Sequence, residues 1–136
     1  MQLGLRFLRD VAGVNVFRHT DRHEMFEGDT TYVYFQLVDR SVDKPSEGFS
    51  PPFRRYCPAS GATLQITLES IDMAKGLTRS ATQPFAQDPS IWRLQILNTD
   101  VVRGTVGVLA KLTEGSEIHS ARFPAGIAVA QKDCVR

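Results

Sequence analysis

Alternating apolar residues constrain the fold of this chain more than any other feature. Two apolar runs lie on either side of Asn98-Thr99-Asp100, and each alternates with a period of two. Successive side chains of a β-strand point to opposite faces, so each run predicts a strand with one buried face. Because Asn and Asp favour turns, the pair predicts a hairpin whose buried face carries Trp92, Leu94 and Ile96 in the first strand and Val106, Val108, Ala110 and Leu112 in the second.

Two further runs, over residues 30–38 and 64–68, show the same alternation, and the first is rich in β-branched and aromatic residues. In the first, Tyr32, Tyr34 and Gln36 fall on the face opposite the apolar one. With the hairpin, the two runs predict a core made of Val33, Phe35, Leu37, Leu64, Ile66, Leu68, Trp92, Leu94, Ile96, Val106, Val108 and Leu112.

No stretch of ten residues has a helical period of about 3.6, which argues against an α/β fold with crossover helices. Short alternating runs separated by turn residues are typical of all-β proteins. We therefore expect an antiparallel β-sandwich, or an open barrel, of about seven or eight short strands. The length of 136 residues suits one domain, spanning residues 1–136, with a long loop at residues 39–61.

Composition excludes several classes of function. The formal net charge of +1 argues against a general electrostatic surface for nucleic acid or an anionic membrane. Cys57 and Cys134 are too few for a disulfide framework or a structural zinc site, and whether either is oxidised stays open. The first residues lack the apolar core of a signal peptide, and no run approaches the ~20 residues of a membrane span. We expect synthesis in a cytoplasm, starting at Met1.

The segment from Asp39 to Gly61 interrupts the alternation and contains four of the seven prolines. Loops of this length inside a compact domain are usually functional or disordered. Arginine and aromatic residues are enriched in protein interfaces. The segment therefore predicts a protein interface made of Phe49, Pro51, Pro52, Phe53, Arg54, Arg55 and Tyr56. Two alternatives are that its phenylalanines cap the core, or that it stacks nucleic-acid bases, which the near-neutral charge disfavours.

Two groups of residues have the chemistry of a metal or catalytic site. If extended, His19, Asp21 and His23 share one face, but polar turns often collect such residues and no metalloprotease motif follows. Asp88 and Asp100 flank the Trp92 strand in the manner of paired glycosidase carboxylates, but each lies in an ordinary turn sequence. We therefore predict no catalytic residues, no metal and no cofactor.

Five segments together carry a resemblance to a known class of proteins. They are Gly-Asp-Thr with Tyr-Val-Tyr-Phe-Gln-Leu-Val-Asp within residues 28–39, the Pro-rich segment to Arg-Tyr at 51–56, Ser-Gly-Ala-Thr-Leu-Gln-Ile-Thr-Leu at 60–68, Arg-Ser-Ala-Thr-Gln-Pro-Phe-Ala-Gln-Asp-Pro-Ser-Ile-Trp at 79–92, and Leu-Thr-Glu-Gly at 112–115. The order resembles that of small all-β structural proteins of tailed-bacteriophage particles, which decorate capsids or build tails and baseplates. It is also similar to the N-terminal β-sandwiches of baseplate and receptor-binding subunits.

The resemblance implies a non-enzymatic virion protein that forms homo-oligomers and docks on other virion proteins through its long loop and edge strands. The near-neutral charge and the lack of a membrane-spanning run argue against a nucleic-acid or membrane partner. The resemblance leaves the position in the particle open. The alternative is a carbohydrate-binding β-sandwich module that stacks sugars on Tyr32, Tyr34 or Trp92. That alternative needs an exposed ring, whereas the alternation of Trp92 with Leu94 and Ile96 predicts that Trp92 is buried.

Overall fold

The chain folds into two curled β-sheets. The computed structural model describes residues 1–11, 16–40, 54–69, 77–97, 99–101 and 104–131, and within these ranges it is all-β with no helix. The ten strands are β1 (Leu3–Val11), β2 (Val16–Thr20), β3 (His23–Phe26), β4 (Thr31–Asp39), β5 (Arg54–Arg55), β6 (Thr63–Glu69), β7 (Leu77–Ser80), β8 (Ile91–Ile96), β9 (Gly104–Glu114) and β10 (Glu117–Ala130).

The first sheet is built around β4. Its neighbour on one side is β1, which in turn carries β2 at the sheet edge. On the other side, β8 pairs with residues 31–36 of β4, and β5 pairs with Val38 and Asp39. All of these pairings are antiparallel. Because β1, β5 and β8 all pair with β4, β4 is the strand that holds the first sheet together.

The second sheet has the order β3-β10-β9-β6-β7. The strands β9 and β10 form a hairpin that turns at Gly115-Ser116, where Gly115 has a φ of 56°. This backbone conformation favours glycine, which has no Cβ to clash with the main chain. The strand β3 lies parallel to the end of β10, the one parallel pair among the described strands.

The core lies between the two sheets and is filled from both inner faces. Its aromatic centre is Phe7, whose ring centroid lies 5.3 Å from that of Phe35 and 5.9 Å from that of Phe123 across the core. A Cβ on Gly126 would come within 2.8 Å of Phe7 Cζ, so glycine lets the sheets approach there. Every residue that alternation assigned to the core is buried, namely Val33, Phe35, Leu37, Leu64, Ile66, Leu68, Trp92, Leu94, Ile96, Val106, Val108 and Leu112.

The predicted hairpin around residues 98–100 is wrong. Its first strand, β8, pairs with β4 in the first sheet, and its second strand, β9, pairs with β6 and β10 in the second sheet. Alternation identifies a strand with one buried face but says nothing about which strand lies beside it. The strands β8 and β9 therefore lie in different sheets. The partner of β8, β4, is distant in the sequence, whereas β9 pairs with the adjacent β10 and with the more distant β6.

The number of strands is also higher than the predicted seven or eight. The polar stretch 18–29, whose His19, Asp21 and His23 are typical of a polar turn, contains most of β2 and all of β3. Both are edge strands, and an edge strand that presents polar side chains to water loses the alternation that marks a half-buried strand. The long loop is shorter than residues 39–61, because Asp39 ends β4 and Arg54 begins β5.

Candidate functional site

A wide concavity lies where β1 and β4 separate. The two strands pair as far as Leu8 and Tyr34; beyond that point β1 pairs only with β2, and β4 only with β8. The opening is a groove of about 870 Å³ with side chains of β3 along it. We call it the corner groove; it is lined by Leu8, Arg9, Thr20, Arg22, His23, Glu24, Met25, Phe26, Asp29, Thr31, Tyr32, Tyr34, Ala128 and Ala130.

Two large rings in the corner groove are exposed to solvent. Phe26 at the end of β3 is 52% exposed, and Tyr32 on the outer face of β4 is 45% exposed. The guanidinium carbon of Arg93 lies 4.7 Å from the centroid of the Tyr32 ring, a cation–π contact that orients this ring. Exposed aromatic rings beside arginines are the composition of a binding surface, because they bury much area at low entropic cost.

The histidines of the predicted metal candidate do not converge. His19 Nε2 lies 2.8 Å from Gln36 Oε1 on the outer face of the first sheet. His23 Nε2 instead lies 3.2 Å from Thr31 Oγ1, in the corner groove. Asp21 interacts electrostatically with Arg6. Within the described ranges no three residues of the metal-ligating types form a cluster that could hold an ion.

His23 is the one groove residue with a strongly shifted pKa among those described. Burial lowers the pKa of its imidazole from 6.5 to about 4, and the nearby Glu24 carboxylate offsets part of the effect. The hydroxyl of Thr31 donates to Met25 Sδ at 3.9 Å, which leaves its oxygen to accept from the His23 ring. The ring is therefore neutral at pH 7 and acts as a structural side chain of the groove.

We expect acidification from pH 7 to 4 to lower the free energy of unfolding by up to about 3 kcal/mol through His23. The unfolded chain takes up this proton near pH 6.5 and the folded chain near pH 4, so the stability is complete above the first value and lost toward the second. His23→Gln keeps a donor for Thr31 and removes the titration. Urea unfolding of both proteins at about pH 7 and pH 4.5 measures the difference. Equal pH dependence in the two proteins would contradict the assignment.

Only part of the predicted loop interface lies in the described ranges; Phe49, Pro51, Pro52 and Phe53 lie outside them. Arg54 and Arg55 are exposed on β5, and Arg55 Nη1 donates to Asp88 Oδ2 at 3.4 Å. Tyr56 is half-buried and packs against the core. The two arginines are thus available to a partner, while the tyrosine ring already has contacts within its own chain.

The Tyr56 hydroxyl donates to the Glu114 carboxylate, which also accepts the Ala59 N–H at 2.9 Å. This hydrogen bond, with burial, raises the pKa of Tyr56 to about 12. Burial favours the neutral form of Glu114, but the two hydrogen bonds and the nearby His119 outweigh it and lower the pKa of this carboxyl. The contacts attach residues 56–59 to the end of the β9–β10 hairpin.

The carboxylates of Asp88 and Asp100 have separate structural roles. Asp88 Oδ1 accepts from Ser90 Oγ at 2.6 Å and from the Ser90 N–H at 3.2 Å. Asp100 accepts from both terminal nitrogens of Arg79 and from the Leu97 N–H at 2.6 Å. Each carboxylate accepts a main-chain N–H of its own turn, as the local sequences indicated, and also pairs with an arginine, Asp88 with Arg55 and Asp100 with Arg79. Both carboxylates therefore have structural partners, and neither is paired with the other.

Trp92 cannot serve as a stacking surface, because only 3% of it is exposed. The burial expected from its alternation with Leu94 and Ile96 is confirmed. Tyr32 and Tyr34, on the opposite face of the first sheet, remain as outward-facing rings, with Tyr34 half-buried. Cys57 is an exposed free thiol, and Cys134 lies outside the described residues.

Two comparisons with known proteins found no match. No protein-family model matches the chain, and no curated protein matches it significantly. The described ranges contain no helix with the length and hydropathy needed to span a bilayer.

Alternation could not locate the corner groove. Phe26 belongs to the polar stretch 18–29, where a single phenylalanine among charged residues has no periodic signal. Tyr32 and Arg93 are 61 residues apart in the sequence and meet only because β8 pairs with β4. The available signal was the two tyrosines on the outward face of a strand, where polar residues are the usual choice.

Proposed function

We propose that the chain is a non-enzymatic structural component of a bacteriophage particle, in its tail, its baseplate or its capsid decoration. It acts by associating with other copies of itself and with other virion proteins. The resemblance of the segments over residues 28–115 supports the assignment to a bacteriophage particle. The all-β fold of the chain agrees with that of the structural proteins that these segments resemble. The observation that carries a docking role is the corner groove, where Phe26 and Tyr32 are exposed beside arginines.

The groove is better suited to binding than to chemistry. The groove is lined by positively charged residues, Arg9 and Arg22, and by negatively charged residues, Glu24 and Asp29. Mixed charge around exposed rings gives a partner orientation and specificity, and the rings supply most of the affinity. Covering the exposed half of each ring contributes about 1 kcal/mol, so the two together strengthen docking by about tenfold to a hundredfold.

The exposed arginines of β5 form a second surface for the same role. Arg54 and Arg55 lie at the edge of the first sheet, next to the predicted interface residues that precede them in the sequence. The ion pair of Arg55 with Asp88 is long, at 3.4 Å, and its arginine side chain is 59% exposed, so the pair contributes little to stability. A carboxylate of a neighbouring virion protein can therefore replace Asp88 at low cost.

Replacing both groove rings, in a Phe26→Ser, Tyr32→Ser double variant, is expected to reduce incorporation into particles at least tenfold. About half of each side chain is exposed to solvent, so the thermal midpoint of the double variant should change by only a few degrees. Incorporation is measured by complementing a deletion of this gene and quantifying the chain in purified particles. Leu97→Ser is the matched control, since Leu97 is also apolar and exposed but lies outside the groove. Equal incorporation of the double variant and the control would exclude the groove as the docking surface.

A carbohydrate-binding module is the second candidate, and one observation favours it. Tyr32, Tyr34, Gln36 and Arg93 share the outer face of the first sheet, which combines rings with hydrogen-bonding groups suited to sugar hydroxyls. Binding of the purified protein to an array of polysaccharides would distinguish the two candidates. A ligand whose binding is lost in Tyr32→Ala and kept in Ile118→Ser, which changes an exposed apolar residue of the other sheet, would favour the sugar-binding role.

A further inference from the structure

Part of one edge of β10, the longest described strand, has no described strand beside it. Through residues 117–123, β10 pairs with β9, whereas its pairing with β3 covers only residues 127–130. Within the described part of the chain, the edge of residues 117–123 that faces away from β9 is therefore open. We call it the free edge of β10. Such an edge is a template for adding another strand.

The hairpin geometry determines which main-chain groups the free edge presents. The turn Gly115-Ser116 has two residues, so Glu114 and Glu117 on either side of it form a hydrogen-bonded pair. From Glu117 onward, the main-chain N–H and C=O groups of successive residues point alternately toward β9 and away from it. The groups of His119 and Ala121 therefore point toward β9. The N–H and C=O groups of Ile118, Ser120 and Arg122 consequently point outward along the free edge.

The side chains of the same three residues lie on the outer face of the second sheet. All three are exposed, and Ile118, at 58%, exceeds the other exposed large apolar residues of the described chain. Arg122 holds a long ion pair of 3.6 Å with Glu69 at the surface. The edge ends at Pro124, which has no N–H, and at the register shift between Phe123 and Ile127. The free edge of β10 is therefore short and has defined ends, and its one large apolar side chain, Ile118, is exposed to solvent.

We propose that the free edge of β10 pairs antiparallel with the free edge of β10 in a second copy of this chain, about a twofold axis at Ser120. Centring on Ser120 places Ile118 opposite Arg122 of the second copy, and Arg122 opposite Ile118 of the second copy. Each of the three residues then donates and accepts once, which gives about six main-chain hydrogen bonds. The two second sheets become one continuous sheet across the axis.

A second copy is the partner because the edge is complementary to itself. Arg122 gives up its long surface ion pair with Glu69, which lies beyond β9, and its aliphatic stem then covers the isoleucine of the second copy while its guanidinium stays in water. No like charges lie directly opposite each other, since serine faces serine at the centre and arginine faces isoleucine on both sides. The same patch on both subunits gives an isologous dimer, the commonest closed arrangement of homo-oligomers. This inference deepens the self-association proposed above, and it concerns the isolated protein, not the particle.

Ser120→Pro tests the pairing without touching the hairpin. Its missing N–H is one that points away from β9, a position at which proline is tolerated in an edge strand. Sedimentation equilibrium at about 50 µM protein should give twice the 15.1 kDa chain mass for the wild type and for the Ser120→Thr control, and one chain mass for Ser120→Pro. Thermal midpoints within a few degrees of each other show that all three proteins are folded. A monomeric wild type, or a dimeric Ser120→Pro, would overturn the inference.

Cross-linking tests the register of the proposed β10–β10 pairing with variants that do not introduce a proline into the strand. In a background with Cys57→Ser and Cys134→Ser, Ser120→Cys should cross-link to itself with a short bis-maleimide, because one strand spacing of about 5 Å separates the two thiols. Lys111→Cys is the control; Lys111 pairs with Ser120 on β9, so two copies lie about three spacings, or ~15 Å, apart. Equal cross-linking at both positions would contradict the proposed axis. Absence of the chain from particles would refute the proposed function and leave both of these results unchanged.

Discussion

Trp92→Ala is expected to lower the free energy of unfolding by about 3–5 kcal/mol. Trp92 stands directly opposite Phe35 in the pairing of β8 with β4, and both rings lie on the inner face of the first sheet. Truncation leaves a cavity among side chains of both sheets, which relax only in part. Urea unfolding followed by circular dichroism measures the change, since the variant lacks the only tryptophan.

Trp92→Phe is the control for this experiment. Trp92 Nε1 is buried and has no hydrogen-bond partner among the described residues. Phenylalanine removes that unsatisfied N–H and keeps most of the apolar volume, so the gain and the loss roughly offset. We expect a change of about 1 kcal/mol or less. A cost below 1 kcal/mol for Trp92→Ala would instead show that the ring is not part of the core.

Arg79→Met is expected to cost about 2–4 kcal/mol of stability, the second-largest effect. The side chain of Asp100 is only 6% exposed and that of Arg79 31% exposed, so removing the cation leaves a nearly buried carboxylate without its counter-charge. The partial exposure of Arg79 places the cost below that of a fully buried pair. Arg79 also donates to the Gln95 carbonyl at 3.3 Å, so the contact joins β7 of the second sheet to β8 of the first.

A double-mutant cycle separates the ion pair from these other contacts. Asp100→Asn keeps an acceptor for the Leu97 N–H and removes the negative charge. Combined with Arg79→Met, it should cost less than the sum of the two single variants, because no unpaired buried charge remains. Thermal or urea unfolding of the four proteins measures the coupling. Additive effects would show that the two charges do not interact.

Much of the fold could be predicted because burial imposes a period of two on each inner strand. Val33, Phe35 and Leu37 mark β4 as clearly in the sequence as in the structure, where all three are inaccessible to solvent. The partners of the strands could not be predicted in this way. The pairing of β8 with β4, and not with β9, depends on contacts between residues that are distant in sequence, on which local alternation has no bearing.

The candidate site was harder to predict for the same reason. Edge strands such as β3 are largely exposed, so little in their composition requires alternation, and the exposed Phe26 has Met25 as its one apolar neighbour in β3. The free edge of β10 has a similar origin, since it exists only because β3 begins its pairing at Ile127. The outward tyrosines of β4 were visible as an unusual face, but the groove beside them results from the separation of β1 and β4.

Quantitative mass spectrometry of purified particles tests the central claim most directly. Particles released by cells that carry this gene would be digested together with labelled reference peptides from this chain and from a major capsid protein. The proposed structural role predicts that the chain is present in a fixed ratio to that protein, in multiple copies per particle, and that it stays bound through repeated density-gradient purification. A chain that accumulates in the producing cells but is absent from the purified particles would contradict the account.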